Sequence, residues 1–366
     1  MIFVGPAQGV TAVGDYSEDF VNGVKPHFDD VVEIRTGGPG DDTVAGLRAL
    51  RRDVAAEVQK GRRDRVLVHA ELSTGALAPF WSTAGLKGAP VTGTVHDPPQ
   101  GVWMPARTRF VGRSRLLNHG IHYPLRPVSR AIEGRVYAGR TLFALTETGR
   151  RSIEATYPST RTAYIPHLVR DRPAIRPAHE RPRAVGFFGH VYRGKGFEQI
   201  VTIRQALPES IAIRVAGRGT EDLPAIAGVE ILGAVDGPAE DAFFDSVRAI
   251  VVPYGKRHFY ADSFAASGVV AHSMAYRTPV VCTDWGSLAE LDEKVGAAVV
   301  STAGLEGDAV AAALAQTIAA VVDDDRRLTE LGRSADNARQ ARSTSNTAAA
   351  FAAEWSEMLA LETRGA

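Results

Sequence analysis

The chain is short of cysteine, of lysine and of uninterrupted apolar sequence, and each shortage removes a class of protein. One cysteine, Cys282, stands among 366 residues, so no internal disulfide can form and a reducing, cytoplasmic interior is the expected setting. Because Cys282 lies within an apolar run, it reads as a buried thiol and not as a nucleophile. The longest apolar run, Ala309 to Val322, contains Gln316 and Thr317 and falls short of the roughly 20 residues that span a bilayer. The N-terminal MIFVGPAQGV has no basic region and meets Gly5 and Pro6 early, so it reads as a first strand and not a signal peptide. Membrane contact, if any, is expected to be peripheral, at the inner face. Net charge is missing too: 42 basic and 42 acidic residues cancel, which gives no global pull toward nucleic acid. No CxxC, HExxH or clustered histidine spacing signals a metal, and neither a metal nor another cofactor is expected. The one tight acidic cluster, Asp323 to Asp325, falls between two helical stretches and is expected to cap one of them.

What is present is an alternation of short apolar strands with helical stretches, the pattern of parallel sheets wrapped by helices, in a chain long enough for two domains. Six strands are expected at Ile2 to Val4, Val31 to Ile34, Val66 to His69, Val91 to Val95, Leu142 to Thr146 and Thr162 to Ile165. Six more are expected at Ala184 to Phe188, Ile211 to Ala216, Val229 to Leu232, Ala249 to Pro253, Val280 to Thr283 and Ala297 to Val300. Between the sets, LVRDRPAIRPAHERP is rich in Pro and Arg and reads as a linker. The expected organisation is an N-terminal domain over residues 1–170, a linker over 171–183, a second domain over 184–345 and a C-terminal helix over 346–366, with a cleft between the two sheets. That helix carries Phe351, Trp355, Met358 and Leu359 as a stripe for packing.

The most informative stretch is Ser267 to Glu290, SGVVAHSMAYRTPVVCTDWGSLAE, which couples a helix start, a buried strand and a second helix start. Gly268 lets backbone N–H groups approach a ligand where the helix dipole favours negative charge, which suits a diphosphate. Thr278 and Pro279 are expected to stop the helix, and Gly286 and Ser287 to turn the chain so that Glu290 reaches the same crevice, where it can accept hydrogen bonds from sugar or ribose hydroxyls. A cation is offered by GFFGHVYRGKGFEQIV, in which the strand ends at Gly189 and Arg193 and Lys195 precede a helix. Lys195 is one of six lysines against thirty-six arginines, set in a glycine-flanked loop after a strand.

Taken in order, FFGHVYRGKG, RVAGRGTEDL, VEILGAVD, AIVVPY and SGVVAHSMAYRTPVVCTDWGSLAEL resemble the nucleotide-sugar domain of GT-B glycosyltransferases, specifically the retaining family 4, across residues 184 to 291. The N-terminal half resembles that group more weakly, in VTGTVHDPP and in LFALTETGRRSIEATYP followed by TAYIPHLV. The resemblance implies two doubly wound Rossmann-like α/β domains, a UDP- or GDP-linked sugar as donor, and a glycan or lipid-linked acceptor such as those of glycolipid or envelope polysaccharide synthesis. It implies donor binding by Gly189, His190, Gly217, Ser267, Gly268, Val269, His272 and Glu290, with Lys195 and Arg193 as phosphate cations and His96 beside the transferred sugar. It also implies that the C-terminal helix crosses back to the N-terminal domain. Two departures stand out. Many members carry a pair of glutamates around the phosphate cradle, and those positions here are Phe264 and His272; the arginine usual after the strand-ending glycine is His190.

In open parallel sheets ligands sit at the carboxyl ends of strands, which selects candidates in the first domain. Gly9 to Asp19 follows the first strand and reads as a flexible acceptor loop, with Gly9, Asp15 and Tyr16 as contacts, although Asp15 and Ser17 serve equally as helix caps. His96 and Asp97 end the fourth strand, and His69 is expected to end the third and to line the same cleft. From Trp103 to Arg151 ten arginines face two glutamates, with Trp103, Phe110, Tyr123 and Tyr137 interleaved: a surface for anionic lipid, or a solvated arginine-rich face. Three functions are therefore set against one another: a retaining glycosyltransferase, a nucleotide-sugar epimerase of the same architecture, and a non-catalytic nucleotide-sugar-binding subunit.

Overall fold

A computed structural model describes residues 1–61, 66–114, 120, 124–256 and 262–365. The chain divides into two units: Met1–His167 with Ser263–Ala266 and Thr344–Ala366, and Leu168–Asp262 with Ser267–Ser343.

The first unit is built on a parallel six-stranded sheet of order β2-β1-β3-β4-β5-β6. Its strands are β1 (Ile2–Pro6), β2 (Val32–Thr36), β3 (Val68–Leu72), β4 (Val91–Val95), β5 (Thr141–Ala144) and β6 (Arg161–Tyr164). Between them run α1 (Ala12–Val24), α2 (Val44–Lys60), α3 (Leu77–Thr83), α4 (Arg109–Arg113), α5 (Arg126–Tyr137) and α6 (Glu147–Thr156). Every residue of β1, β3 and β4 is buried, as strands covered on both faces must be.

The second unit repeats the plan in the order β12-β11-β10-β7-β8-β9. Its strands are β7 (Ala184–Phe188), β8 (Ala212–Ala216), β9 (Val229–Gly233), β10 (Ala249–Val252), β11 (Val280–Thr283) and β12 (Ala297–Val300). Alternate residues enter different cores. Val185, Phe187, Val251 and Val281 pack with the helices α7 (Ile200–Ala206) and α10 (Asp308–Val322), whereas Phe188, Val252 and Cys282 pack with α8 (Pro238–Asp245) and α9 (Gly268–Ala275). That period of two is what a sheet with helices on both faces requires. The helix α11 (Asp325–Ala341) completes the unit; Asp324 caps it by accepting the Arg327 N–H at 2.9 Å, while Asp323 pairs with Arg183 and Asp325 with Arg248.

Residues 168–183 are tied to the second unit by their arginines. Arg172 binds Glu240, Arg176 binds Asp245, and the buried Arg181 donates to the carbonyls of Phe244, Val247 and Tyr276 and to Thr278. The helix α12 (Thr344–Gly365) belongs to the first unit, where Phe351 and Trp355 pack on Phe20 and Phe143. All twelve strands occur where the sequence places them, with one consequential shift: β3 runs Val68–Leu72, so His69 is its second residue and not its last. Among the described residues no helix is long and apolar enough to cross a membrane.

Candidate functional site

The strand order of the second unit reverses between β7 and β10, and at such a point the loops leaving the two carboxyl ends splay apart and leave a crevice. Gly189 to Gly196 leaves β7 there. It is pinned across the crevice by the Gly255 N–H, which donates to the Gly194 carbonyl at 3.1 Å. Gly196 adopts φ +77°, and a Cβ on it would stand 2.0 Å from the Pro253 oxygen, so only glycine lets this loop lie against the end of β10. The result is the position of Lys195. Its ammonium sits 3.8 Å from the centroid of the Tyr254 ring and donates to the Tyr254 hydroxyl, which in turn lies 3.0 Å from Ser267 Oγ.

Ser267 is the N-cap of α9, accepting the Val270 N–H at 3.4 Å. The Gly268 and Val269 amides open the helix before any intrahelical acceptor exists for them. Lys195 and the positive end of a helix are thus joined through one tyrosine, a residue that sequence reading passed over. Burial raises the Tyr254 pKa, which keeps its hydroxyl a neutral bridge. The helix ends earlier than Thr278, at Ala275, with Arg277 in a left-handed conformation at φ +53°.

The other expected donor residues lie on α9 and on the loops that follow β7, β8 and β11. The Gly189 N–H donates to Ala216 and the Gly217 N–H to Gly233, so both amides extend the sheet and are not open donors. What makes these positions glycine is contact: a Cβ on Gly217, at φ +129°, would stand 2.1 Å from the Gly189 oxygen, and one on Gly189 would stand 2.9 Å from Val269. His190, Arg193 and Glu290 are exposed, Glu290 at the end of the 3-10 turn Gly286–Glu290 that follows β11. His272 lies on α9 with its ring 5.3 Å from that of Phe188, and its Nδ1 is 2.9 Å from the buried carboxylate of Glu240.

In the first unit the order reverses between β1 and β3, and the same rule directs attention to Tyr16, Glu71 and His96. His96 follows β4; its backbone N–H donates to the Leu72 carbonyl at 2.9 Å and its Nε2 lies 2.6 Å from Glu71 Oε2. Glu71 is fully buried. Burial would raise its pKa, yet the imidazoles of His69 and His96 outweigh that cost and hold it at about 2. The Tyr16 ring stands edge-on to His96 and to His167, 5.0 Å from each, and among the described residues its buried hydroxyl has no hydrogen-bond partner. Glu71 was missed from sequence. The signal was there: His69 and Glu71 are polar, two apart in a buried strand, and therefore on one face.

Three expectations are corrected here. His69 does not line a crevice: its nitrogens meet the Thr92 and Thr94 hydroxyls at 2.9 and 3.1 Å, and its ring is enclosed by Phe20, Phe143, Phe351 and Trp355. Gly9 to Asp19 is not a flexible loop, because Thr11 accepts the Gly14 N–H at 3.1 Å and starts a helix at Ala12. Asp15 therefore is not the cap; it accepts the Gly9 N–H at 2.9 Å, while Ser17 donates to Val13 and Tyr16 is buried. In the basic stretch, Trp103 and Tyr137 are core residues and not interfacial ones. Phe110 is 77% exposed between Arg109 and Arg113, and Tyr123 lies outside the described residues.

Residues 182–324 match the family model described as Glycosyl transferases group 1. Among solved structures, Anabaena HepE in complex with UDP-glucose superposes with a TM-score of 0.65 at 14% identity, over 98% of this chain and 100% of that one. AviGT4, a glycosyltransferase involved in avilamycin A biosynthesis, gives 0.61 at 16% identity over 98% of both chains. An α,α-trehalose-phosphate synthase (UDP-forming) from Burkholderia xenovorans gives 0.60 at 10% identity, over 96% of this chain and 99% of that one. The chain has the GT-B glycosyltransferase fold. The switch-point crevice of this GT-B protein's second unit lies within the group 1 segment. No curated protein matches the sequence.

Proposed function

We propose that the protein is a retaining glycosyltransferase that moves a sugar from a nucleoside-diphosphate sugar to an acceptor hydroxyl. The observation that carries this reading is the Lys195–Tyr254–Ser267 connection, which places a cation and a helix N-terminus at one switch-point crevice inside the group 1 segment. In the reaction the bond from the anomeric carbon to the diphosphate breaks and a bond to the acceptor oxygen forms on the same face. The acceptor proton passes to the departing phosphate oxygen, so no protein base is needed. Lys195 and the Gly268 and Val269 amides stabilise the charge that grows on the diphosphate, with exposed Arg193 as a second cation. His96, held by Glu71, orients the sugar.

UDP is the nucleotide to test first, since a structure of this fold holds UDP-glucose. For the acceptor we favour a glycan or lipid-linked sugar of glycolipid or envelope synthesis, with peripheral membrane contact supported by Phe110 between exposed Arg109 and Arg113. The deciding experiment is thermal stabilisation by UDP, GDP, ADP and their sugar conjugates, followed by donor turnover with and without acceptor. A ligand at a hundred times its Kd adds about 2.7 kcal/mol. Acceptor-dependent nucleotide release supports transfer; turnover without acceptor favours the epimerase, and binding without turnover favours the non-catalytic subunit.

A further inference from the structure

His272 stands where the resemblance puts the second glutamate of the acidic pair, and the structure returns a carboxylate to that side chain from a different helix. Glu240, in the first turn of α8, has a side chain only 4% exposed and lies 2.9 Å from His272 Nδ1. On its other side Arg172 Nη2 donates to both carboxylate oxygens at 3.0 Å. Burial would raise the Glu240 pKa, but the bond to His272 and the charge of Arg172 outweigh it and lower the value, so the group is ionised. An ionised carboxylate only accepts. His272 therefore presents its Nδ1 proton to Glu240 and turns Nε2 away from it, and on a neutral imidazole so held Nε2 carries the lone pair. The ring is 32% exposed beside Phe188, one residue before Gly189, and among the described residues Nε2 has no partner.

We propose that Glu240 is a positioning residue of the donor site: it fixes His272 so that Nε2 accepts a hydrogen bond from a hydroxyl of the bound nucleotide sugar. This deepens the glycosyltransferase reading and rests on it. The chain thus keeps a hydroxyl acceptor at position 272 while its carboxylate stands one side chain further back, balanced by Arg172. Clamping α8 to α9 does not require Glu240, because the Tyr276 hydroxyl already donates to Asp241 at 2.5 Å and Arg172 covers the Tyr276 ring at 5.7 Å. The hydroxyl has two possible sources, the ribose and the transferred sugar.

The test is calorimetry with whichever of UDP, GDP and ADP stabilises the protein most, its 2′-deoxy and 3′-deoxy forms, and its glucose conjugate. These are titrated into wild type, Glu240→Gln, His272→Ala and the double variant. A ribose contact predicts that Glu240→Gln weakens the diphosphate about fivefold to tenfold, that one deoxy form is indifferent to the substitution, and that the substitution adds nothing to His272→Ala. A contact to the transferred sugar predicts that only the glucose conjugate responds. A loss equal across all ligands, or none at all, overturns the positioning role and leaves the glycosyltransferase reading standing. Failure of wild type to bind any of the three diphosphates overturns both. Should Glu240→Gln not fold, His272→Ala alone must abolish hydroxyl discrimination, and His272→Gln, which carries its own acceptor oxygen, must restore part of it.

Discussion

Each unit sets a glutamate against a histidine beside a switch-point crevice, and the two pairs differ in what balances the carboxylate. Glu71 lies within a strand, wholly enclosed, and among the described residues the groups paired with its charge are the imidazoles of His69 and His96. Glu240 lies on a helix and shares its charge between His272 and Arg172. A guanidinium keeps its charge across the working range, so Arg172 always faces Glu240, whereas imidazoles hold the Glu71 carboxyl low. The difference teaches that the same residue pair can be anchored by a permanent charge in one place and by imidazoles in the other.

The largest effect expected is on stability. Glu71→Ala removes the partner that His96 and the polar interior of β3 are arranged around, and should cost about 3–5 kcal/mol in denaturant unfolding. Glu240→Ala, at a site with an arginine able to turn toward solvent, should cost less; equal losses would break the comparison. Next comes Lys195→Ala, which should lower kcat by more than tenfold while leaving the melting temperature almost unchanged. Activity near that of wild type would remove Lys195 from the phosphate site.

Acid unfolding sharpens the contrast further. Because the Glu71 carboxyl is held at about 2 against an ordinary 4.5, it contributes stability that is present above pH 4.5 and lost as the pH falls toward 2. Glu71→Gln should flatten that part of the stability profile, and an unchanged slope would deny that the imidazoles hold the carboxyl low. Tyr254→Phe keeps the ring under Lys195 and removes the hydroxyl that meets Ser267; a donor KM raised several-fold with intact folding is expected, since one hydrogen bond is worth about 1 kcal/mol. The smallest effect belongs to Asp324→Ala, far in sequence from either pair: about 1 kcal/mol from the lost cap and no change in kcat.

The architecture was legible from sequence because short β-branched runs between helical stretches leave one reading for parallel sheets. Ser267, Gly268 and Lys195 were legible for a local reason: a helix start and a glycine-flanked cation each announce themselves within a few residues. Tyr254 and Glu240 were not, because their roles come from partners 13 and 32 residues away, and for Glu71 the alternation in β3 marks its face but not its partner His96, 25 residues on. Nothing in the neighbourhood of Glu240 marks it; a first-turn glutamate is ordinary at any helix start. Tyr16 misled in the opposite sense. Thr11 captured the helix start that Asp15 and Ser17 also suited, and this turned an expected surface contact into a buried ring.

The solitary thiol has a use that follows from where it lies. Cys282 is on β11 in the second unit's core, and burial pushes its pKa up to about 12. Thiol-reactive dyes therefore find no accessible thiolate while that unit is folded, and the first unit holds no cysteine to compete. The labelling rate becomes a clock for the opening of one half of the molecule alone, and slowing of that clock by a nucleotide would report which half holds it.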